Sequence, residues 1–505
     1  MGTGLRATLA AACAVVALVA TASCVPGATP PAVDGTPGGP GADPAWLTAV
    51  RGPDAGIYDE FGRQVVLRGA NLNELGDYFS SDPRLPTTSP LTEDDWADLA
   101  AQGADVVRLV TTWSAWQPQR GTLDAAYLAR VDAAVDAARR HGMHVVLDMH
   151  QDAWSKFVFT PATETCPAGT HHQIGWDGAP AWATFTDGRP TCTPASREES
   201  PAVIAAWDNF YANRDGVRTE LSALWGRLAT HYANDPTIAG FDLLNEPGSG
   251  SDNDGTIAGL AAFYREAIEH IRSAERAAGA RGHIVFFENT VHGAFVPFDV
   301  SDDPNIVLSP HNYAESIGPQ IPGLMDLLFG VLAVERAGYG TATWTGEYGF
   351  FGNDDAAKMA RYAPLDDATL GNGGAGGTWW QWEQECGDPH DVSGAYPPDE
   401  SWIFAQMTRC GSSRSDLVCS TRAYPRAVPG RLTSVVAPCA GGLHVTGVTP
   451  TPSVADLWYP SPPGSPSGSP PTVTGTGLGP VEATRVAGGW RLAVEVTGAY
   501  VLDVA

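Results

Sequence analysis

The chain has 505 residues, 43% hydrophobic and 17% charged, and its 30 Lys and Arg against 57 Asp and Glu leave a formal net charge of −27. That length holds one large domain and a small one, each with its own core. So acidic a chain repels phosphate backbones and anionic membrane surfaces, which excludes sequence-independent nucleic-acid binding and a polybasic lipid anchor.

Residues 1–24 read as a secretory signal peptide: Arg6 precedes an apolar stretch from Ala7 to Ala22, followed by small residues. Two processing sites compete. Ala20-Thr21-Ala22 fits small-x-small cleavage, and Ala22-Ser23-Cys24 resembles a bacterial lipobox with Cys24 as the lipidated residue. The chain is expected to be secreted, or held at a bacterial cell surface through Cys24. Residues 25–44 are rich in Pro and Gly and read as a tether. Cys13 leaves with the signal; if Cys24 is lipidated the other six cysteines can all pair, and if it is not, an odd thiol is left, in either case in an oxidising compartment. Cys166–Cys192 is the first pair expected, closing one surface loop. Beyond the signal, no apolar run reaches membrane-spanning length.

From residue 45, short β-rich runs alternate with amphipathic helices. Eight strands are expected at Val65–Arg68, Val106–Val110, His144–Met149, Ile238–Leu244, Ile284–Glu288, Ile306–Ser309, Ala342–Gly346 and Thr378–Trp382. Helical patterns cover Leu123–His141 and Val217–Tyr232. Eight strand–helix units point to an α/β fold, a closed (β/α)8 TIM barrel over residues 45–414. The stretch between the third and fourth strands is too long for one helix and holds an insertion with Cys166 and Cys192. Residues 415–505 alternate as strands do and read as a small C-terminal β-sandwich, with the low-complexity run Pro460–Pro471 as a loop.

In such a barrel, chemistry sits at the C-terminal ends of the strands. There the chain places Arg108, His150, Asp152, Asn245, Glu246, His311, Tyr313, Glu347 and Trp382. Glu246 follows the apolar run FDLLN and Glu347 follows TATWTG, so two carboxylates can converge over the barrel mouth. A carboxylate pair is what glycoside hydrolysis needs. A single Glu there reads equally well as a solvated loop residue or a partner of Arg108.

The same residues match a family pattern. Arg108 in VVRLV, His150 in LDMHQD, Asn245-Glu246-Pro247, His311 and Tyr313 in SPHNY, Glu347 in TGEYG and Trp382 in WWQW resemble glycoside hydrolase family 5. More narrowly, DMHQDAWS, GAPAWATFTDG, WDNFY and DLLNEP resemble the endoglycoceramidases of that family, and STRAYPRAVPG resembles their sandwich junction. The resemblance implies a retaining endo-β-glycosidase that releases an intact oligosaccharide from the ceramide of a glycosphingolipid. It implies a membrane-presented substrate and no cofactor; no metal, no transmembrane segment and a monomer are expected besides. Glu347 would be the nucleophile, ionised beside Arg108, and Glu246 the acid/base. Asn245 would bond the sugar 2-hydroxyl. Tyr313 and His311 would orient nucleophile and acid, His150 and Asp152 would bond sugar hydroxyls, and Trp382 would floor the reacting sugar.

One departure stands out. Endoglycoceramidases that cut glucosylceramide-linked glycans carry a Lys soon after the first strand, whereas RGANLNELGDYF has none and the first Lys of this chain is Lys156. A galactosylceramide-directed relative is therefore open, as is a steryl glucosidase, a cellulase-type glucanase or a mannanase. Phe295, Val296, Phe298, Leu324, Met325, Leu328, Phe329 and Leu332 are candidates for an apolar aglycone groove, or else ordinary helix packing. Trp182 is a candidate border of the cleft. Two rivals lie outside the glycosidases: a metal-dependent phosphodiesterase using Asp148-x-His150-x-Asp152, and a non-catalytic glycan- or lipid-binding protein.

Overall fold

The computed structural model describes residues 42–80, 88, 90–290, 297–316, 321–350, 355–384, 407–408, 419, 421–461 and 468–505. The signal, the lipobox cysteine and most of the tether lie outside these residues, as do Phe295, Val296, Cys386 and Cys410.

Eight parallel strands close on themselves: β4 (Leu67–Leu72), β5 (Val106–Thr112), β6 (His144–His150), β7 (Ile238–Asp242), β8 (Ile284–Phe287), β9 (Ile306–Leu308), β11 (Ala342–Tyr348) and β12 (Gly374–Trp379). The two-residue β10 (His311–Asn312) adds to β11, and β9 pairs with β11 to complete the ring. The expected TIM barrel is present. The insertion between β6 and β7 holds the Cys166–Cys192 disulfide, spanning 26 residues of chain. A second bridge joins Cys419 to Cys439.

Three strands before the barrel, β1 (Leu47–Val50), β2 (Gly56–Asp59) and β3 (Arg63–Val65), belong elsewhere. They form an antiparallel ladder continued by β15 (Tyr424–Pro429), β17 (Leu443–Pro460), β19 (Gly489–Val504) and β18 (Val473–Val486), with β16 (Arg431–Val436) on β17. This separate sheet is consistent with the expected sandwich, but it draws on both ends of the chain. Val65, read from sequence as barrel, pairs with Ala427 instead, and the barrel begins two residues later. The glutamates and asparagines of the site are unaffected by this difference. Between β12 and β15, β13 (Glu383–Gln384) pairs with β14 (Met407–Thr408).

Alternation along the strands explains how the barrel fills. In β5, Val106 packs inside with Val146, Ile284, Val307 and Trp344, while Val107 and Leu109 face the surrounding helices. Leu47, Ile57 and Val65 share the inner cluster, so β1–β3 plug the barrel floor. The opposite, C-terminal end is left for chemistry.

Reduction of Cys166–Cys192 is expected to destabilise the insertion by about 2–4 kcal/mol, the scale for a loop of this length. Faster proteolysis within 160–200 under reductant checks it, and alkylation of both thiols in the unreduced protein contradicts it.

Candidate active site

The inward phase of β5 continues from Val106 to Arg108, which is fully buried at the barrel mouth. Its Nε donates to Asp242 Oδ2 at 2.9 Å, Nη1 to Glu347 Oε1 at 2.7 Å, and Nη2 to Asp148 Oδ1 at 2.8 Å and Asn245 Oδ1 at 3.0 Å. Asn71 Oδ1, from β4, accepts from Nη1 at 3.2 Å. One guanidinium thus ties together the ends of β4, β5, β6, β7 and β11. Its charge is held on by the surrounding carboxylates even though burial opposes it.

Glu347 is fixed from two sides. Arg108 holds Oε1, and the Tyr313 hydroxyl donates to Oε2 at 2.7 Å. Glu246 sits just past β7, where its Oε1 lies 2.9 Å from His311 Nδ1, an atom that is also 3.4 Å from Glu347 Oε2. Carboxylate atoms of Glu246 and Glu347 lie within 4.8 Å of each other. The Glu246 side chain is 19% exposed against 6% for Glu347, so Glu246 stands toward solvent at the rim. Gly346 leaves room for the Ser309 and His311 side chains: a Cβ there would lie 2.6 Å from Ser309 Oγ and 3.0 Å from His311 Nε2.

The Glu246 backbone is strained, with φ of +38°, a region few non-glycine residues adopt. Its surroundings hold it there. Gln151 Nε2 donates to the carbonyls of both Asn245 and Glu246 at 2.8 Å, and Glu288 Oε2 accepts from the Glu246 N–H at 3.2 Å.

His150 donates or accepts through Nδ1 at 2.7 Å from Asp148 Oδ2, and its ring stacks on Trp380 at 5.2 Å between centroids. Asp152 lies past the end of β6 and is clamped by Arg197 at 2.5 Å. Asp148 and Asp152 are thus both committed to arginines, and the donor set sought for a phosphodiesterase metal does not converge. Burial pushes the Asp148 carboxyl up to about 7 against the pull of Arg108. Burial also raises the Glu288 carboxyl, against the pull of His311, and the two groups share a proton. His311 moves oppositely to what its burial dictates: Glu288, Glu347 and Glu246 together raise its imidazole well above the ordinary range.

The structure therefore gathers Arg108, His150, Asn245, Glu246, His311, Tyr313 and Glu347 into one cluster, with Asp152 at its edge. Trp382 requires correction. It is fully buried in the core between barrel and helices, and its Nε1 donates to Asp95 Oδ1 at 3.2 Å in α1 (Glu93–Ala101). The reason is strand phase: β12 runs Gly374–Trp379, carried by a glycine run with no β signal, so it ends three residues before the sequence reading had it. Trp380, beside His150, Val110 and Tyr313, is the tryptophan at the mouth. Trp182 also packs away, donating to the Gln117 carbonyl at 2.9 Å with its ring edge-on to Trp113.

Sequence reasoning missed Asn71, Asp242 and Glu288, and placed Gln151 and Trp380 at strand ends without giving them a role. A signal existed for Glu288, since the alternation of Ile284 and Phe286 into the barrel continues onto it.

A closed parallel barrel with a carboxylate pair braced by Arg, Tyr and His at the strand ends defines a glycoside hydrolase. The chain belongs to the cellulase family, glycosyl hydrolase family 5, whose sequence model matches residues 58–385. Among curated relatives, endoglycoceramidase I of Rhodococcus hoagii is 29% identical over 53% of this chain and 53% of its own. Endoglycoceramidase of Cyanea nozakii is 26% identical over 54% of this chain and 58% of its own. The chain thus spans about half the length of the curated relatives it matches. Among solved structures, an endogalactoceramidase is 38% identical, with 91% of this chain and 100% of that chain covered and a TM-score of 0.79. An endo-glycoceramidase II from Rhodococcus sp., in complex with ganglioside GM3, shares the fold at 23% identity, with a TM-score of 0.69 over 89% of this chain and 99% of that one.

Proposed function

We propose that this chain is a retaining endo-β-glycosidase that cuts glycosphingolipids between the innermost sugar and ceramide, releasing an intact glycan. The observation that carries the reading is the approach of Glu246 and Glu347 to within 4.8 Å. A separation near 5 Å suits a covalent glycosyl-enzyme route, whereas inversion needs about 6.5–9.5 Å to seat a water. Glu347, held by Arg108 and Tyr313, attacks the anomeric carbon. Glu246 gives its proton to the departing ceramide oxygen, later takes one from water, and the water oxygen replaces Glu347 at carbon with net retention. Asn245, bonded to Arg108, presents its amide to the 2-hydroxyl. His150, Asp152 and Trp380 line the sugar side, Trp380 taking the flooring role first given to Trp382.

The endoglycoceramidase relatives support ceramide as the leaving group. The 38%-identical endogalactoceramidase supports a narrower reading, a galactosyl unit next to ceramide. The absence of a lysine between Leu67 and Val106 points the same way. Lys156 itself is tied to Asp77 at 2.6 Å.

The aglycone side changes from the sequence reading. In the helix Leu324–Tyr339, Leu324, Leu328 and Phe329 pack on Met325, Tyr362 and Phe350, as barrel helices ordinarily do. Phe298 packs on Tyr264 and Tyr339. Leu327 and Ile321 are the exposed apolar residues of that segment. We further infer that residues 1–24 direct export, either releasing the chain or anchoring it at a bacterial cell surface through Cys24, and that the enzyme acts as a monomer on lipid presented by a membrane. The two disulfides suit an extracellular site, and no helix among the described residues is long and apolar enough to cross a membrane.

Hydrolysis of a ganglioside, a galactosylceramide-linked glycan, cellohexaose and a steryl glucoside, read by mass spectrometry, tests the substrate. Intact oligosaccharide plus ceramide is the expected product, fastest from the galactosylceramide-linked glycan. Faster cleavage of cellohexaose than of either glycolipid removes the ceramide reading.

A further inference from the structure

Glu288 is a third glutamate at the barrel mouth, and neither the family pattern nor the mechanism above gives it a task. It follows β8 directly, is almost wholly buried, and its carbonyl is anchored by the Tyr264 hydroxyl at 2.7 Å. Its two oxygens reach the same partner by two routes. Oε2 accepts from the Glu246 backbone N–H at 3.2 Å, and Oε1 lies 3.2 Å from His311 Nε2 in an ion-pair contact. The other ring nitrogen of His311 meets Glu246 Oε1 at 2.9 Å. Glu288, His311 and Glu246 thus form a carboxylate–imidazole–carboxylate array ending on the acid.

We propose that Glu288 is a positioning residue for the acid–base step: it fixes the Glu246 backbone and the His311 ring, and its contact with His311 keeps the imidazole that faces Glu246 protonated toward alkaline pH. The proposal rests on the reading of Glu246 as the acid.

The charge inventory supports it. Facing the array are Asp242 from β7, Asp148 from β6, Arg108 from β5, Glu347 from β11, the Tyr313 hydroxyl, Arg197 from the insertion on the Glu246 side and, behind Glu288, the Tyr264 hydroxyl. Arg108 is already spent on Asp148, Asp242 and Glu347, and reaches Glu288 only at 3.5 Å. Carboxyl groups outnumber the cations here, so the cluster cannot ionise completely and must share protons. Glu288 and His311 titrate together: with their shared proton on the imidazole, Glu288 is the carboxylate that holds it there. Removing that carboxylate makes the imidazole facing Glu246 lose its proton at lower pH.

The test is the pH profile of kcat/KM on phenyl β-lactoside, a substrate whose leaving group needs a proton, for the full chain and two variants. Glu288→Gln is expected to move the alkaline limb to lower pH by about one unit, the scale of one charge removed at this range. Glu288→Asp keeps the charge but draws it back by one methylene, and its limb is expected between the two. A purely structural Glu288 lowers kcat in both variants without moving the limb. An unmoved limb in whichever variant folds overturns the proposal. The reading beneath it is checked separately with 2,4-dinitrophenyl β-lactoside, whose leaving group departs unprotonated. Glu246→Gln is expected to slow the phenyl lactoside far more than the dinitrophenyl one. Equal slowing overturns the acid assignment and the proposal with it. Unequal slowing with an unmoved Glu288 limb overturns the proposal alone.

Discussion

The Glu347→Gln enzyme is expected to fold, to bind glycolipid, and to lose kcat/KM by about 10⁴-fold or more, about 5.5 kcal/mol of transition-state stabilisation. The amide keeps the shape of the side chain and can still accept from one of its two donors, Arg108 Nη1 or the Tyr313 hydroxyl. It cannot form the glycosyl ester, so the step that defines the retaining route disappears. Binding is expected to survive because the sugar contacts proposed for Asn245, His150 and Trp380 do not involve Glu347. Azide supplied to Glu347→Ala is expected to restore turnover with inverted product, since the small anion then attacks from the vacated face. Normal turnover by Glu347→Gln contradicts the assignment.

Arg108→Met is the second large effect, and it falls on stability as well as rate. Methionine fills much of the volume but leaves Asp148, Asp242 and Glu347 without their shared cation in a buried setting. Breaking a buried ion pair from one side costs about 3–5 kcal/mol. The pH dependence has a definite sign. Burial already holds the folded-state Asp148 carboxyl up to about 7, above its ordinary value, and Asp242 is raised too. Between the ordinary carboxylate range and about 7 the unfolded chain has released protons that the folded chain keeps, so stability falls as pH rises through that window. Losing Arg108 removes what opposes this and steepens the fall. The melting-temperature gap between wild type and Arg108→Met is therefore expected to widen from pH 4 to pH 7. A gap independent of pH contradicts the role given to the guanidinium.

Much of this was legible from sequence because the barrel repeats one simple pattern. Glu246 and Glu347 each follow an apolar strand, and strand ends in a barrel meet at one mouth, so their convergence required only the count of strands. Arg108 lay at an inward phase of VVRLV. What sequence could not carry was phase where residues lack β propensity. Gly374–Gly377 forms most of β12, yet the aromatic run after it drew the strand three residues late and put Trp382 where Trp380 stands. The pairing of β3 with β15 joins segments some 360 residues apart and leaves no local trace. Glu288 was hidden differently. It sat at the end of a correctly read strand, but a lone carboxylate there has no meaning until His311 and the Glu246 backbone are seen around it.

The most direct measurement is covalent trapping. Incubation with 2,4-dinitrophenyl 2-deoxy-2-fluoro-β-lactoside slows release of the glycosyl-enzyme, and peptide mass spectrometry then locates the sugar. The label is expected on Glu347, in the peptide containing TGEYG. A label on Glu246 or Glu288, or an inverted product with no label at all, contradicts the retaining mechanism built on the Glu246–Glu347 pair.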